Sequence, residues 1–151
     1  MKKTFAALTL IAASFTASAE TTTITGGKWE RTNNSQASSY ANNGHGMTLT
    51  ALSNGRIGIA VIFDNSEECK GLGIKESEKQ KVWYFNNQAV NISRFCADNG
   101  QLINYPSNPR GDEYVINQFR TKHTVTIGSI RWNAAGFTEQ LNMIKNAANA
   151  L

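Results

Sequence analysis

The chain has two cysteines, Cys69 and Cys96, and these are the residues best suited to covalent chemistry. A nucleophilic or redox-active thiol would need a Cys-x-x-Cys spacing or a setting that lowers its pKa, and the sequence shows neither. In an oxidising compartment, an even pair of cysteines is typical of one disulfide. We therefore predict a Cys69–Cys96 bridge that closes a loop of about 28 residues, and no catalytic thiol.

No other pattern in the sequence predicts a catalytic centre or a metal site. The chain has no Gly-x-Ser-x-Gly, Ser-x-x-Lys or His-Glu-x-x-His motif and no phosphate-binding glycine loop. His45 and His123 are far apart, and His123 suits a structural position at a helix end. The acidic residues Asp64, Glu67 and Glu68 lack the ligand spacing of a calcium loop. We therefore predict no catalytic residue, no cofactor and no metal ion.

The N-terminus has the three-part organisation of an export signal. Two lysines follow Met1, Phe5–Phe15 is a short apolar run, and Ala17-Ser18-Ala19 is typical of a signal-peptidase site. A membrane-spanning helix needs about 20 apolar residues, which neither this run nor any later one provides. We predict a signal peptide over residues 1–19 and one periplasmic or secreted domain over residues 20–151, with no transmembrane segment in the mature chain.

The mature chain is only mildly basic. The full sequence has 15 lysine and arginine residues against 11 aspartate and glutamate residues. Loss of Lys2 and Lys3 with the leader leaves a net charge of +2. A nucleic-acid-binding surface would show clustered lysine and arginine, so we predict no nucleic-acid partner.

A hairpin between the two cysteines is the clearest structural prediction. Lys81–Phe85 and Gln88–Phe95 are rich in strand-forming residues. They flank Asn86-Asn87, whose side chains tolerate positive φ in a two-residue turn. A Cys69–Cys96 bridge would hold the open end of this hairpin.

The remaining chain predicts six or seven short strands in total, a small helix and a C-terminal helix. Arg56–Phe63 is apolar on both faces, as expected of a central strand. Thr124–Trp132 is predicted to form one strand with a β-bulge at Gly128-Ser129. One face of the last helix is formed by Phe137, Leu141, Ile144 and Ala148. The elements indicate a mainly β or α+β fold, an antiparallel sheet or β-sandwich with the C-terminal helix packed on it.

Asp112 is predicted to cap the small helix, which would run from Glu113 to about Thr121. It also ends the tripeptide Arg110-Gly111-Asp112, within a predicted loop over Pro106–Gly111. In an exposed loop this tripeptide is an adhesion signal that animal integrins read. A turn glycine ahead of a helix cap explains the same residues without adhesion.

Loops and surface tyrosines are the candidate contact residues for a partner. Asn33–Gly46 is polar and long, which is typical of functional or disordered loops. Exposed tyrosines would suit a glycan or a protein, although ordinary sheet packing also explains them. The candidate partner-binding residues are Tyr40, His45, Tyr84, Tyr105 and Arg110.

The stretch from Trp132 to Leu141 resembles the closing motif of the bacterial invasion-associated locus B family. In those exported, β-rich proteins a strand runs into a Gly-Phe-x-x-x-Leu helix start, matched here by Gly136, Phe137 and Leu141. The resemblance covers only these ten residues. It implies an exported β domain with a docked C-terminal helix.

The sequence therefore predicts an exported bacterial domain that binds a protein or cell-envelope partner without catalysis. An inhibitor, an exclusion factor or an accessory envelope factor would fit, because loops on a rigid scaffold suit recognition. The alternative is a small cell-wall or glycan hydrolase that uses carboxylates such as Glu67, Asp98 or Glu113. That chemistry needs two carboxyl groups about 5–9.5 Å apart around a cleft.

Overall fold

The computed structural model describes residues 24–71, 73 and 78–149. The predicted signal peptide, residues 1–19, lies outside the described residues. In chain order the strands are β1 (Ile24–Thr25), β2 (Glu30–Asn33), β3 (Gln36–Tyr40), β4 (Gly46–Ala51), β5 (Ile57–Phe63), β6 (Gln80–Phe85), β7 (Gln88–Cys96), β8 (Leu102–Pro106), β9 (Thr124–Ile127) and β10 (Ile130–Asn133). The helices are a short 3-10 helix (Glu67–Cys69), α1 (Pro109–Thr121) and α2 (Phe137–Asn149). None of the helices described here has the length and apolar character needed to cross a membrane.

The strands form one curled sheet, a half-barrel, in the order β1-β10-β9-β6-β7-β8-β5-β4-β3-β2. β1 pairs in parallel with β10, and the other strand pairs are antiparallel. Curling brings the first strand back to the other side of the sheet, where Gly26 forms a bridge with Ala41. The predicted mainly β class and packed C-terminal helix are confirmed. The sheet is single rather than a sandwich, and its described part has ten strands rather than six or seven.

One additional strand comes from a segment predicted to be a loop. Within Asn33–Gly46, residues 36–40 form β3, which pairs with β2 and β4. Ala37 and Ser39 are buried on its inner side, where α2 packs against β3 and β4. Small side chains give only a weak alternation of apolar and polar residues, so the sequence did not predict a strand here. They are nevertheless suited to a strand whose inner side is tightly packed against a helix.

A second additional strand comes from the predicted bulge. Gly128 and Ser129 form the turn between β9 and β10, and Gly128 has a φ of +58°. The pairs Ile127–Ile130 and Val125–Trp132 lie across this hairpin, and all four side chains are buried. The predicted bulge is therefore wrong, because Gly128 and Ser129 form a hairpin turn between two strands.

The hairpin and the disulfide are confirmed. β6 and β7 pair in register from Gln80–Ser93 to Phe85–Gln88, and Asn86 and Asn87 have φ values of +46° and +70°. Cys69 and Cys96 are bonded, with their Cα atoms 5.5 Å apart. The bridge fastens the 3-10 helix to the end of β7 that lies farthest from the turn.

Helix α1 begins earlier than predicted. Asn108 is its N-cap, and its side-chain oxygen accepts a hydrogen bond of 3.0 Å from Gly111 N–H. Pro109 then occupies a first-turn position where its missing N–H costs nothing. Pro106–Gly111 is therefore not a loop, and Asp112 is not the cap. The Arg110-Gly111-Asp112 tripeptide lies in the first turn of a helix.

Asp112 is buried beneath this first turn. Its Oδ2 accepts a hydrogen bond of 2.8 Å from Arg56 Nη2, and its Oδ1 accepts one of 3.3 Å from Ile59 N–H. Burial raises the pKa of Asp112 above its ordinary value, although the Ile59 bond and the Arg56 charge oppose the shift. The carboxylate thus joins α1 to β5 instead of facing solvent.

We expect Asp112 to stabilise the fold progressively as the pH falls. Because folding raises the pKa of Asp112, its contribution to the free energy of unfolding is fully present below the pKa that it has in the unfolded chain. The contribution is lost as the pH rises through the pKa that it has in the folded protein. Asp112→Asn keeps the side-chain shape and removes this titration. Urea unfolding between about pH 7 and pH 3 should therefore show wild type gaining stability relative to the variant.

The exposed turn residue Asp98 supplies the matched control for losing one negative charge. Asp98→Asn removes one exposed carboxylate, and its free energy of unfolding is measured over the same pH range for comparison with Asp112→Asn. A wild type that loses stability relative to Asp112→Asn on acidification would mean that the Arg56 ion pair outweighs burial.

The core lies on the concave side of the sheet, where both helices pack. Trp29 is fully buried, and its ring meets Phe119 and Phe137 edge-on at centroid distances of 5.3 and 4.9 Å. Trp29 Nε1 donates to the Asn133 carbonyl at 3.1 Å. The predicted inner face of the last helix is largely confirmed, since Phe137, Leu141 and Ile144 are buried and Ala148 is half-buried.

Candidate binding site

The concave side of the sheet remains open where the helices do not reach, and an apolar pocket lies there. Its volume is about 460 Å³. Its walls come from β1, β5, β6 and the β9–β10 hairpin, and from the segment before β4; no residue of α1 or α2 lines it. The curl of the sheet thus creates a cavity that no single strand could form.

Three aromatic side chains in contact with one another, His45, Phe63 and Trp83, form one wall of the pocket. Phe63 ends β5, and its ring lies 4.4 Å from that of His45, which directly precedes β4. On its other side Phe63 stacks on Trp83 of β6, with centroids 5.8 Å apart and an interplanar angle of 28°. Phe63 and Trp83 lie at inward positions of β5 and β6, so strand alternation directs these two rings toward the concave side.

Trp132 of β10 also lines the pocket. It is fully buried, and its Nε1 has no hydrogen-bond partner among the described residues. A Cβ atom at Gly26 would lie 2.3 Å from Trp132 Cε3, so only glycine lets the β1 segment pass over this ring. A buried N–H group without an acceptor is costly, so this indole is a strained feature of the pocket lining.

A charged groove of about 450 Å³ adjoins the apolar pocket and shares Phe63 and Trp83 with it. Its remaining lining residues are Glu68, Glu78, Lys81 and Arg94. The site therefore combines an apolar cavity with a charged extension on the same side of the sheet.

Arg94 forms the floor of this groove. Its buried guanidinium pairs with Glu68 Oε2 at 2.5 Å, and its Nε donates to Asn104 Oδ1 at 3.0 Å. Glu68 belongs to the 3-10 helix that Cys69 ties to Cys96. The disulfide consequently holds the counter-ion of a buried charge in place.

The chemistry of the pocket suits binding. Among the residues that the structure describes, His45 and Tyr84 are its titratable lining residues and no carboxylate lines it. In the described residues, no three side chains of His, Cys, Asp or Glu are grouped to hold a metal ion. The carboxylates of the hydrolase alternative, Glu67, Asp98 and Glu113, lie in the 3-10 helix, the β7–β8 turn and α1 respectively.

The structure brings together two of the five predicted contact residues. His45 and Tyr84 both line the pocket. Tyr40 and Tyr105 lie on the outer face of the sheet, with 63% and 39% of their surface exposed. Arg110 is exposed on α1 and lines neither the apolar pocket nor the charged groove.

Sequence reasoning did not assign Phe63, Trp83 or Trp132 to a site. Each was interpreted as an ordinary residue of a predicted strand. What the sequence lacks is a signal that β5, β6 and β10, distant along the chain, surround one cavity. Aromatic residues at the inner positions of strands were the only available signal.

No protein-family model, curated protein or solved structure matches the chain. The geometry of the pocket and groove is therefore the basis for a functional interpretation.

Proposed function

We propose that this chain is an exported, non-catalytic domain that binds a protein or cell-envelope partner. The apolar pocket, open to solvent and walled by His45, Phe63 and Trp83, takes an apolar group of that partner. The observation that carries the proposal is this pocket. A well-formed apolar cavity with a few polar groups is the usual form of a binding site.

The exposure of these rings favours binding over simple packing. Phe63 and Trp83 are only half-buried although they face the concave side. A bound apolar group would bury the remaining surface and contribute about 25 cal/mol for each Å² removed from water. The charged groove beside the pocket would then orient the polar part of the same partner.

The predicted leader and the disulfide both support export. The signal peptide stays a prediction from the sequence. A disulfide is stable in the periplasm or outside the cell and is rare in the cytosol. An envelope or secreted partner fits that compartment.

The proposal predicts that capture of a partner depends on Trp83. Tagged mature chain, Glu20–Leu151, is incubated with periplasmic and culture-medium fractions, and the bound material is identified by mass spectrometry. We expect one species to be retained by wild type and its recovery to fall about tenfold with Trp83→Ala, as for an aromatic contact at the centre of an interface.

Tyr40→Ala is the matched control, because it removes an exposed aromatic side chain from the outer face. It should retain the same species at the wild-type level. Circular dichroism and thermal unfolding establish that both variants are folded. Equal retention by Trp83→Ala and wild type, or no retained species at all, would contradict binding in the pocket.

A further inference from the structure

Strand β6 has an open edge beside the pocket. It pairs with β7 along its whole length, but with β9 only through Phe85 and Ile127. From Gln80 to Tyr84, no described strand pairs with its second edge. Val82, Trp83 and Tyr84 of this stretch also line the pocket, so the open edge and the cavity are continuous.

The phase of the β6–β7 hairpin determines which backbone groups face that edge. In a two-residue hairpin the two residues next to the turn, here Phe85 and Gln88, exchange backbone hydrogen bonds. Every second pair farther from the turn does the same, so the odd-numbered residues of β6 bond to β7. The 2.9 Å hydrogen bond from Arg94 N–H to the carbonyl of Lys79, another odd-numbered residue, agrees with this pattern. The even-numbered residues, with Val82 at the centre, therefore direct their N–H and C=O groups to the open edge.

The geometry points to an extended peptide as the occupant of this edge. We infer that a partner segment adds to β6 as a further strand and places one apolar side chain in the pocket. In this mode of recognition, main-chain hydrogen bonds supply affinity and a side-chain pocket supplies specificity. This inference rests on the proposed function and names the chemistry of the partner that the pocket receives.

The unpaired backbone of β6 and its continuity with the pocket favour a peptide over a small apolar molecule. A small apolar molecule would leave the free backbone groups of β6 unused. The edge from Gln80 to Tyr84 is one short stretch, and its residues Val82, Trp83 and Tyr84 also line the pocket. One added peptide strand can therefore use both the backbone groups of β6 and the cavity beside them.

The first test uses a pool of random ten-residue synthetic peptides, selected on the immobilised mature chain and identified by mass spectrometry. A selected peptide is then made in two forms, N-methylated at its odd or at its even backbone nitrogens. Only alternate N–H groups of an added strand face its neighbour. One form should therefore lose affinity at least about tenfold, and the other less than about threefold.

The second test changes the edge itself. Val82→Pro removes an N–H group that faces the opening and leaves the bonds to β7 in place, whereas Val82→Ala shortens the same side chain and keeps the N–H. We expect Val82→Pro to weaken the selected peptide at least about tenfold and Val82→Ala less than about threefold. Circular dichroism shows whether the proline variant keeps its sheet.

The outcomes separate this inference from the proposed function. If a partner depends on Trp83 but no peptide is selected, or both methylated forms bind alike, strand addition is wrong while the pocket remains a binding site. A concentration-dependent dimer in sedimentation that Val82→Pro abolishes would assign the edge to a second copy instead. Equal partner capture by Trp83→Ala and wild type would overturn both.

Discussion

Removing the disulfide by Cys69→Ala with Cys96→Ala is expected to lower the free energy of unfolding by about 3.5 kcal/mol. The bridge spans 27 positions of the chain and restricts the unfolded state by closing that loop. Its loss would free the unfolded chain without removing any strand of the described sheet. Urea unfolding of the variant and of oxidised wild type measures the difference.

The structure gives this bridge a second role. Glu68, the neighbour of Cys69, is the ion-pair partner of the buried Arg94. Without the bridge the 3-10 helix is held less firmly, and a buried guanidinium that loses its counter-ion is strongly destabilising. We therefore expect the loss to equal or exceed the value given by loop closure alone.

Reduced wild type is the matched control, because it lacks the bond but keeps both side chains. It should unfold at the same urea concentration as the double variant. A loss below about 1 kcal/mol in both samples would mean that the unfolded chain is already compact around this loop.

The parts of the fold that are determined by residues close together in the sequence could be predicted. The β6–β7 hairpin needed only its alternation and two asparagines that accept positive φ. The inner face of α2 needed only helical spacing. The disulfide needed only a count of cysteines and a compartment, because the chain offers a single pairing.

The sheet order and the pocket could not be predicted in the same way. The pocket forms because β1 pairs with β10 and because β6 meets β9 at one residue pair. Both contacts join segments that are distant along the chain. The alternation of inward and outward side chains in each strand does not determine which strands pair with each other. Tyr84 was selected as one of several exposed tyrosines and His45 as a residue of the Asn33–Gly46 loop, and only the curl of the sheet places them around one cavity.

The prediction of loops failed for a different reason. The inward residues of β3, Ala37 and Ser39, are small where α2 packs on this strand, and small residues are also typical of loops. Asp112 was assigned to a cap by residue type, whereas Asn108 caps α1 and Asp112 is buried against Arg56. In both cases packing at a distance decided between two local structures that the sequence permits equally well.

The other large effect is expected at Trp29, at the centre of the contact between the sheet and both helices. Trp29→Ala should lower the free energy of unfolding by about 4 kcal/mol, because it leaves a cavity beside Phe119 and Phe137. It also removes the donor to the Asn133 carbonyl. Urea unfolding followed by circular dichroism measures the loss.

Two further variants show where the stability resides. Trp29→Phe keeps an aromatic ring but loses the indole N–H, and should cost about 1–2 kcal/mol. Trp83→Ala removes a tryptophan that is only half-buried, and should cost well under half as much as Trp29→Ala. If the two alanine variants were equally unstable, the pocket wall would be part of the structural core. If Trp83→Ala is nearly as stable as wild type, its ring is available for a partner.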